Sequence, residues 1–221
     1  MFPPKTLLLG FILGLVTFAP EVGNTDVAPP ERSTQSSAPQ RFRLVANQSK
    51  FIAHAQRGGL LWFKGHEHLV AAREFSGEAT FTPDRLASAS LALTVKTESL
   101  VETSEAFTAA QKEIINRELR ELVLEPDKYP EITFQSTGVT GKALGNGAYD
   151  LKIAGDLMLH GVTRRIAIPA KVMVVGSKLR ARGEFTIDRS DFKVKATSAF
   201  HGLVRVRKTV KFTFDIVAER L

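Results

Sequence analysis

The stretch L-K-I-A-G-D-L-M-L-H-G-V-T-R-R-I-A-I-P-A-K, residues 151–171, decides the fold. Leu151, Ile153, Gly155, Leu157 and Leu159 share one side of an extended chain, because strand side chains alternate with period two. Asp150, Lys152 and Asp156 take the other side, with Met158 as an apolar exception. His160-Gly161 breaks the alternation, which resumes with Val162, Arg164, Ile166, Ile168, Ala170 and Val172 on one side. Glycine adopts positive φ without strain, so His160-Gly161 is read as the tip of a tight hairpin. Long antiparallel strands joined by short turns are the repeating unit of barrels and sandwiches.

Similar segments surround it. Phe51, Ala53 and Ala55 share one face, and His54 points away from it. Phe75, Gly77, Ala79 and Phe81 alternate with polar neighbours, as do Ala89, Leu91, Leu93 and Val95. Ile132, Phe134 and Ser136 lead to a second turn at Gly145-Asn146-Gly147. Leu179, Ala181, Gly183, Phe185 and Ile187 give the cleanest alternation. Val204, Val206, Val210, Phe212, Phe214 and Ile216 read as one closing strand, in which Lys208 is the single charge on the apolar face. A bulge that turns Lys208 to water is favoured there. One segment breaks the pattern. Between Glu102 and Glu125, Ile115, Leu119 and Leu122 fall at i, i+4 and i+7 with Ile114 beside them. That spacing predicts an amphipathic helix, capped near Thr103–Thr108 and ended by Pro126 and Tyr129-Pro130. A lone helix in a run of strands must lie on the sheet or cover one mouth of a barrel. The expected fold is all-β with one inserted helix: an antiparallel, up-and-down, lipocalin-like barrel of about eight strands, whose closure removes both sheet edges.

The N-terminus reads differently. Lys5 followed by the apolar run Leu7–Ala19 predicts a secretory signal peptide over residues 1–19, and hence a periplasmic or secreted protein. Residues 20–41, rich in Pro, Ser and Thr and without apolar period, are expected to form a flexible linker, leaving residues 42–221 as the barrel domain. Cysteine is absent, which excludes disulfides, thiolate catalysis and cysteine-ligated metals. Lys and Arg total 30 against 23 Asp and Glu, a net charge of +7. That excess allows transient contact with a membrane surface, but no nucleic-acid recognition motif accompanies it. One Trp and two Tyr do not make the aromatic girdle of an outer-membrane barrel. Neither a Gly-rich phosphate loop nor a G-x-S-x-G elbow is present, so binding rather than catalysis is expected.

Four blocks carry a resemblance: G-D-L-M-L-H-G-V-T-R-R (155–165), K-Y-P-E-I-T-F-Q-S-T (128–137), G-E-F-T-I-D-R-S-D-F (183–192) and the closing hydrophobic strand. In this order they resemble the YceI-like family of periplasmic, lipocalin-resembling proteins. The resemblance implies an extended antiparallel barrel that binds a polyisoprenoid or similar long amphiphilic lipid in its interior. It implies no cofactor and no established catalytic residues. Two positions depart from the family pattern. Lys193 stands after D-F, where glycine is common, and Gly65-His66-Glu67-His68 replaces an apolar barrel segment.

The inward faces nominate a lipid-lining set: Phe51, Trp62, Phe75, Phe81, Phe134, Leu151, Ile153, Gly183, Phe185, Ile187, Phe212 and Phe214. Small residues such as Gly183 and Ala181 beside aromatics are expected to leave internal volume, so that a phenylalanine at Gly183 would fill existing space. Two other readings stay open. His66 and His68 would lie on one face of an extended segment, about 6–7 Å apart, and can contribute to a metal site, although no third ligand is evident by spacing. A solidly packed barrel would serve protein contacts instead. Nothing in the sequence sets an oligomeric state.

Overall fold

The computed structural model describes residues 38–58, 66–195, 198–199 and 204–221. The expected leader, most of the linker, and the apolar segment containing Trp62 lie outside the described residues. The domain is a meander of strands β1 (Gln40–Leu44), β2 (Lys50–Ala55), β4 (His68–Ala72), β5 (Phe75–Phe81), β6 (Ser90–Lys96), β7 (Leu100–Glu102), β8 (Glu131–Gly145), β9 (Ala148–Leu159), β10 (Val162–Val175), β11 (Lys178–Asp188) and β14 (Thr209–Arg220). Short strands β3 (Arg57–Gly58), β12 (Ser198–Ala199) and β13 (Val204–Val206) form a separate small sheet in the order β12-β13-β3.

The eleven segments of the main sheet amount to a closed antiparallel barrel of eight strands. The first three strands are each broken once, into β1/β2, β4/β5 and β6/β7. β14 closes the ring by pairing with both halves of the first strand: Phe42 faces Arg220 and Phe51 faces Phe214. A 3-10 turn at Ala46–Gln48 causes the first break, and the Ser49 hydroxyl repairs it by accepting the Val217 N–H at 2.9 Å. Ser99 repairs the other two together, since its hydroxyl accepts the Glu74 N–H and donates to the Lys96 carbonyl.

The hairpin anticipated at His160-Gly161 is present, with both residues at positive φ between β9 and β10. Asn146 and Gly147 make the same kind of turn between β8 and β9. Helix α1 (Ala109–Glu118) starts at a capping box: Thr108 Oγ1 accepts the Gln111 N–H, and Gln111 Oε1 accepts the Thr108 N–H at 2.8 Å. It continues as a π turn over Leu119–Leu124, closed by the Glu125 N–H on the Arg120 carbonyl.

Two sequence expectations need correction. The π turn holds one more residue per turn than an α-helix, so the apolar stripe slips: Leu122 is 56% exposed, and Val123 and Leu124 turn inward with Ile115 and Leu119. The closing strand is two strands, because Arg207 and Lys208 leave the ladder between β13 and β14 and both are exposed.

A third correction concerns Gly183. A Cβ there would lie 2.3 Å from the Pro169 carbonyl oxygen and 2.6 Å from the Phe214 ring, its neighbour across the β11–β14 ladder. Gly155 repeats the arrangement beneath the Phe134 ring. These glycines mark places where the strands coil too tightly for a side chain, and each carries a phenylalanine laid across the bare backbone. Gly183 is a packing position, with no free volume to fill. Gly183→Ala is therefore expected to destabilise by about 1–3 kcal/mol. Gly138→Ala, whose Cβ would meet nothing within 4 Å, should change little. Urea unfolding measures both; equal midpoints for Gly183→Ala and wild type would contradict the packing account.

Candidate functional site

The barrel interior is open along much of its length. An upper lobe of about 220 Å³ lies between the strands and the inner face of α1 and its π turn. A deeper lobe of about 110 Å³ extends toward the opposite end. Phe51, Leu93, Phe134, Ile168 and Phe185 border both lobes and form the waist between them. At the waist Phe185 stacks on Phe212 at 5.0 Å, and Phe51 sits tilted 5.9 Å from Phe212. Ala79, Ala89, Ala170, Ala181 and Ala218 line the deeper lobe, and their small side chains are what keeps it open. Below it, Phe42 and the edge-on pair Phe81–Tyr149, 4.8 Å apart, belong to the buried cluster at that end.

The nominated residues divide accordingly. Phe51, Phe134 and Phe185 line both lobes; Ile187 and Phe212 line the upper one; Phe81, Leu151, Ile153 and Phe214 line the deeper one. Phe75 is buried in a cluster with Val70, Val95, Leu100 and Leu124 and borders neither lobe. Gly183 lies under Phe214, as described, and Trp62 is outside the described residues. Sequence reasoning names Ala181 as a source of volume and a barrel mouth as one place for the helix, but does not single out Ala79, Ala89, Ala170 and Ala218 or the helix residues that line the upper lobe. Alternation places an alanine on the inward face, but only the diameter of the closed barrel decides whether it leaves a void.

The Phe107 ring contacts both His66 and His68: His66 meets it edge-on at 5.6 Å and His68 stacks on it at 5.0 Å. His68 borders the upper lobe, and its Nδ1 is hydrogen-bonded to Glu102 at 2.8 Å. Among the described residues no three His, Asp or Glu side chains gather as a metal site. His54 is satisfied by Thr213 at 2.9 Å.

The helix is fastened at its middle and at its end, each time with a histidine–glutamate contact. At its middle, the Glu102 N–H donates to Asn116 Oδ1 on α1, while the fully buried Glu102 side chain accepts from His68 and from the Leu69 and Ser104 N–H groups. At its end, Glu125 leaves the π turn in the left-handed region and bonds His160 Nε2 at 3.1 Å. Tyr129 packs 4.2 Å from the His160 ring and fills the place where Gly161 would carry a Cβ. The tip of the β9–β10 hairpin therefore clamps the lid. His160 Nδ1 is buried without a partner among the described residues.

Burial pushes the Glu102 carboxyl upward, but the hydrogen bonds from His68, Ser104 and Leu69 outweigh it and hold the group below its ordinary value of 4.5. A carboxylate depressed in the fold stabilises it above the unfolded value, and that contribution is lost as pH falls through the folded one. Wild-type stability in urea should thus drop as pH descends below about 4.5, and Glu102→Gln should flatten part of that drop. Glu102→Ala strands three donors and should cost about 3–5 kcal/mol at neutral pH. Identical acid profiles for wild type and Glu102→Gln would remove Glu102 as a source of the dependence.

Comparison with known proteins agrees with this architecture. The sequence model of the YceI-like domain matches residues 42–218, a span whose first and last residues, Phe42 and Ala218, are both completely buried. A UPF0312 protein of Vibrio cholerae is 35% identical over 138 residues, covering 60% of this chain and 67% of that protein. Protein YceI of Escherichia coli is 31% identical over 147 residues, covering 63% and 68%. Among solved structures, Burkholderia cenocepacia BcnA superposes with a TM-score of 0.63 at 21% identity, over 79% of this chain and 98% of that one. A structure described as a polyisoprenoid binding domain from Saccharophagus degradans gives 0.58 at 15% identity, over 81% and 98%. At these identities the structural likeness is one of fold. With a matched domain spanning the whole barrel, the chain belongs to the YceI-like family.

Proposed function

We propose that this protein binds, and carries outside the cytoplasm, a long-chain amphiphilic lipid of polyisoprenoid or quinone-tail type within its barrel. One observation carries the reading: two apolar lobes meet at an aromatic waist, which gives the interior an elongated shape suited to a chain. Each methylene transferred from water into such a space contributes about 0.8 kcal/mol. Several isoprene units therefore offset the entropy lost on ordering the chain. Ionisable side chains border only the upper lobe, where His68, Glu118, Arg189 and Lys195 lie, while the deeper lobe's polar lining is Thr80 and Ser90. The lipid's polar head belongs there and its tail beyond the waist. The polyisoprenoid-binding description of the Saccharophagus degradans domain supports the same ligand class. The apolar leader Leu7–Ala19 supports a periplasmic or secreted location.

Ala181→Phe tests the chamber. The new ring should occupy the deeper lobe, leaving the melting temperature near that of wild type and uptake of a short prenyl probe intact, while a long prenyl probe binds at least tenfold more weakly. Mass spectrometry of lipid extracted from wild-type protein should find a long-chain lipid. A wild type that takes up neither probe, together with an Ala181→Phe variant that melts well below it, would show a solidly packed barrel. N-terminal sequencing of envelope-fraction protein should begin beyond Ala19; an intact Met1 would identify a retained anchor.

A further inference from the structure

The upper end of the barrel carries an electrostatic feature that ligand uptake does not require. Arg189, Lys193, Lys195, Arg207 and Lys208 are brought together there by the turn after β11 and the break between β13 and β14. The Arg189 N–H bonds the Lys208 carbonyl, and the Val194 N–H bonds the Arg189 carbonyl, so the two segments are one unit. Arg189, Val194, Lys195 and Val206 border the upper lobe, which places this unit on the rim of the chamber.

Most cations of the barrel wall have a carboxylate partner or face one across the ladder, as Lys142 and Lys171 both face Asp150; Lys152 and Arg164 are exceptions. On the wall, Arg41 and Arg43 share Glu78, Arg180 and Arg182 share Asp215, Arg165 meets Asp156, and Lys211 meets Glu184. At the rim no described carboxylate lies within 4.0 Å of any of the cations named. Arg189 is held by the Val194 and Arg207 carbonyls, and Arg207 by the Arg57 carbonyl, contacts that fix the guanidinium without cancelling its charge. Asp188, bonded by the Ser190 N–H and hydroxyl, also feels the charges of Arg189 and Lys208, and Asp191 lies in the same turn, so five cations stand against two carboxylates and the rim remains positive. Lys193 holds φ of 58°, a conformation that glycine takes without strain. On the outer face of the helix that covers the same lobe, Ile114 and Leu122 stand exposed. An excess of cations on the rim, with exposed aliphatic side chains on the helix that covers the chamber, matches a surface that is anionic outside and apolar beneath.

We propose that this basic rim docks the open end of the barrel on an anionic lipid bilayer, so that the chamber faces the membrane. The inference rests on the lipid-binding reading for its purpose, but not for its test. Co-sedimentation with vesicles of phosphatidylcholine alone, and with vesicles that also contain phosphatidylglycerol, measures docking; prenyl-probe uptake in vesicle-free solution measures the chamber. The protein should bind the anionic vesicles and not the neutral ones, with binding lost as salt rises. Lys193→Glu/Lys208→Glu should weaken vesicle binding at least tenfold, given about fivefold for each basic residue removed near such a surface. Its probe uptake should match wild type. Lys142→Glu/Lys171→Glu, on strands β8 and β10 toward the other end, should bind vesicles as wild type does. Equal binding to both vesicle types, an unaffected rim variant, or an equal loss in the Lys142/Lys171 variant would overturn the docking proposal. Failure of probe uptake with vesicle binding intact would instead overturn the lipid-binding reading.

Discussion

Closure of the barrel through β14 is the constraint on which the rest depends. This strand meets the first strand twice, at β1 and at β2, and the Ala46–Gln48 turn with Ser49 lets the two halves adopt different directions while both remain paired. Without that seam, β1 and β14 would be open edges and the apolar inner face would be wet. With it, the inner faces of the strands enclose a space that the side chains do not fill. The breaks in the next two strands, stitched by Ser99, continue the same bend around the wall.

Inside the closed wall, side-chain size decides where the space lies. Phenylalanines gather at the waist, alanines line the deeper lobe, and two further phenylalanine–glycine contacts mark the tightest coiling. The lid is held by polar contacts at its middle and at its far end. Glu102 joins β4, β7 and α1 through His68, two backbone donors and Asn116, whereas Glu125 and Tyr129 seat the end of the lid on the hairpin tip. A buried network of this kind gives little net stability over one in which all its members are replaced together by packed apolar groups, whereas loss of the carboxylate alone strands several donors.

Much of the candidate site was legible from alternation. Phe134, Phe185, Ile187, Phe212 and Phe214 face inward as their spacing requires. The misreadings share a cause. Phe75 and Gly183 lie on the apolar side of their strands, but neighbouring strands occupy the space beside them, and period two carries no information about neighbours. Leu122 was assigned to the buried face on an α-helical period, and the π turn moved that face by one residue.

By itself the sequence determined the strands, the hairpin tips at His160-Gly161 and Asn146-Gly147, the single helix and the family, because each rests on local periodicity, turn chemistry or contiguous blocks. Tertiary structure alone decided that the interior is two-lobed, that K-Y-P-E and the L-H-G tip meet as a clamp on the lid, and that scattered cations become one rim. Those properties depend on distances between segments far apart in the chain. Such distances are set by barrel diameter, strand register and coiling, which no local pattern encodes.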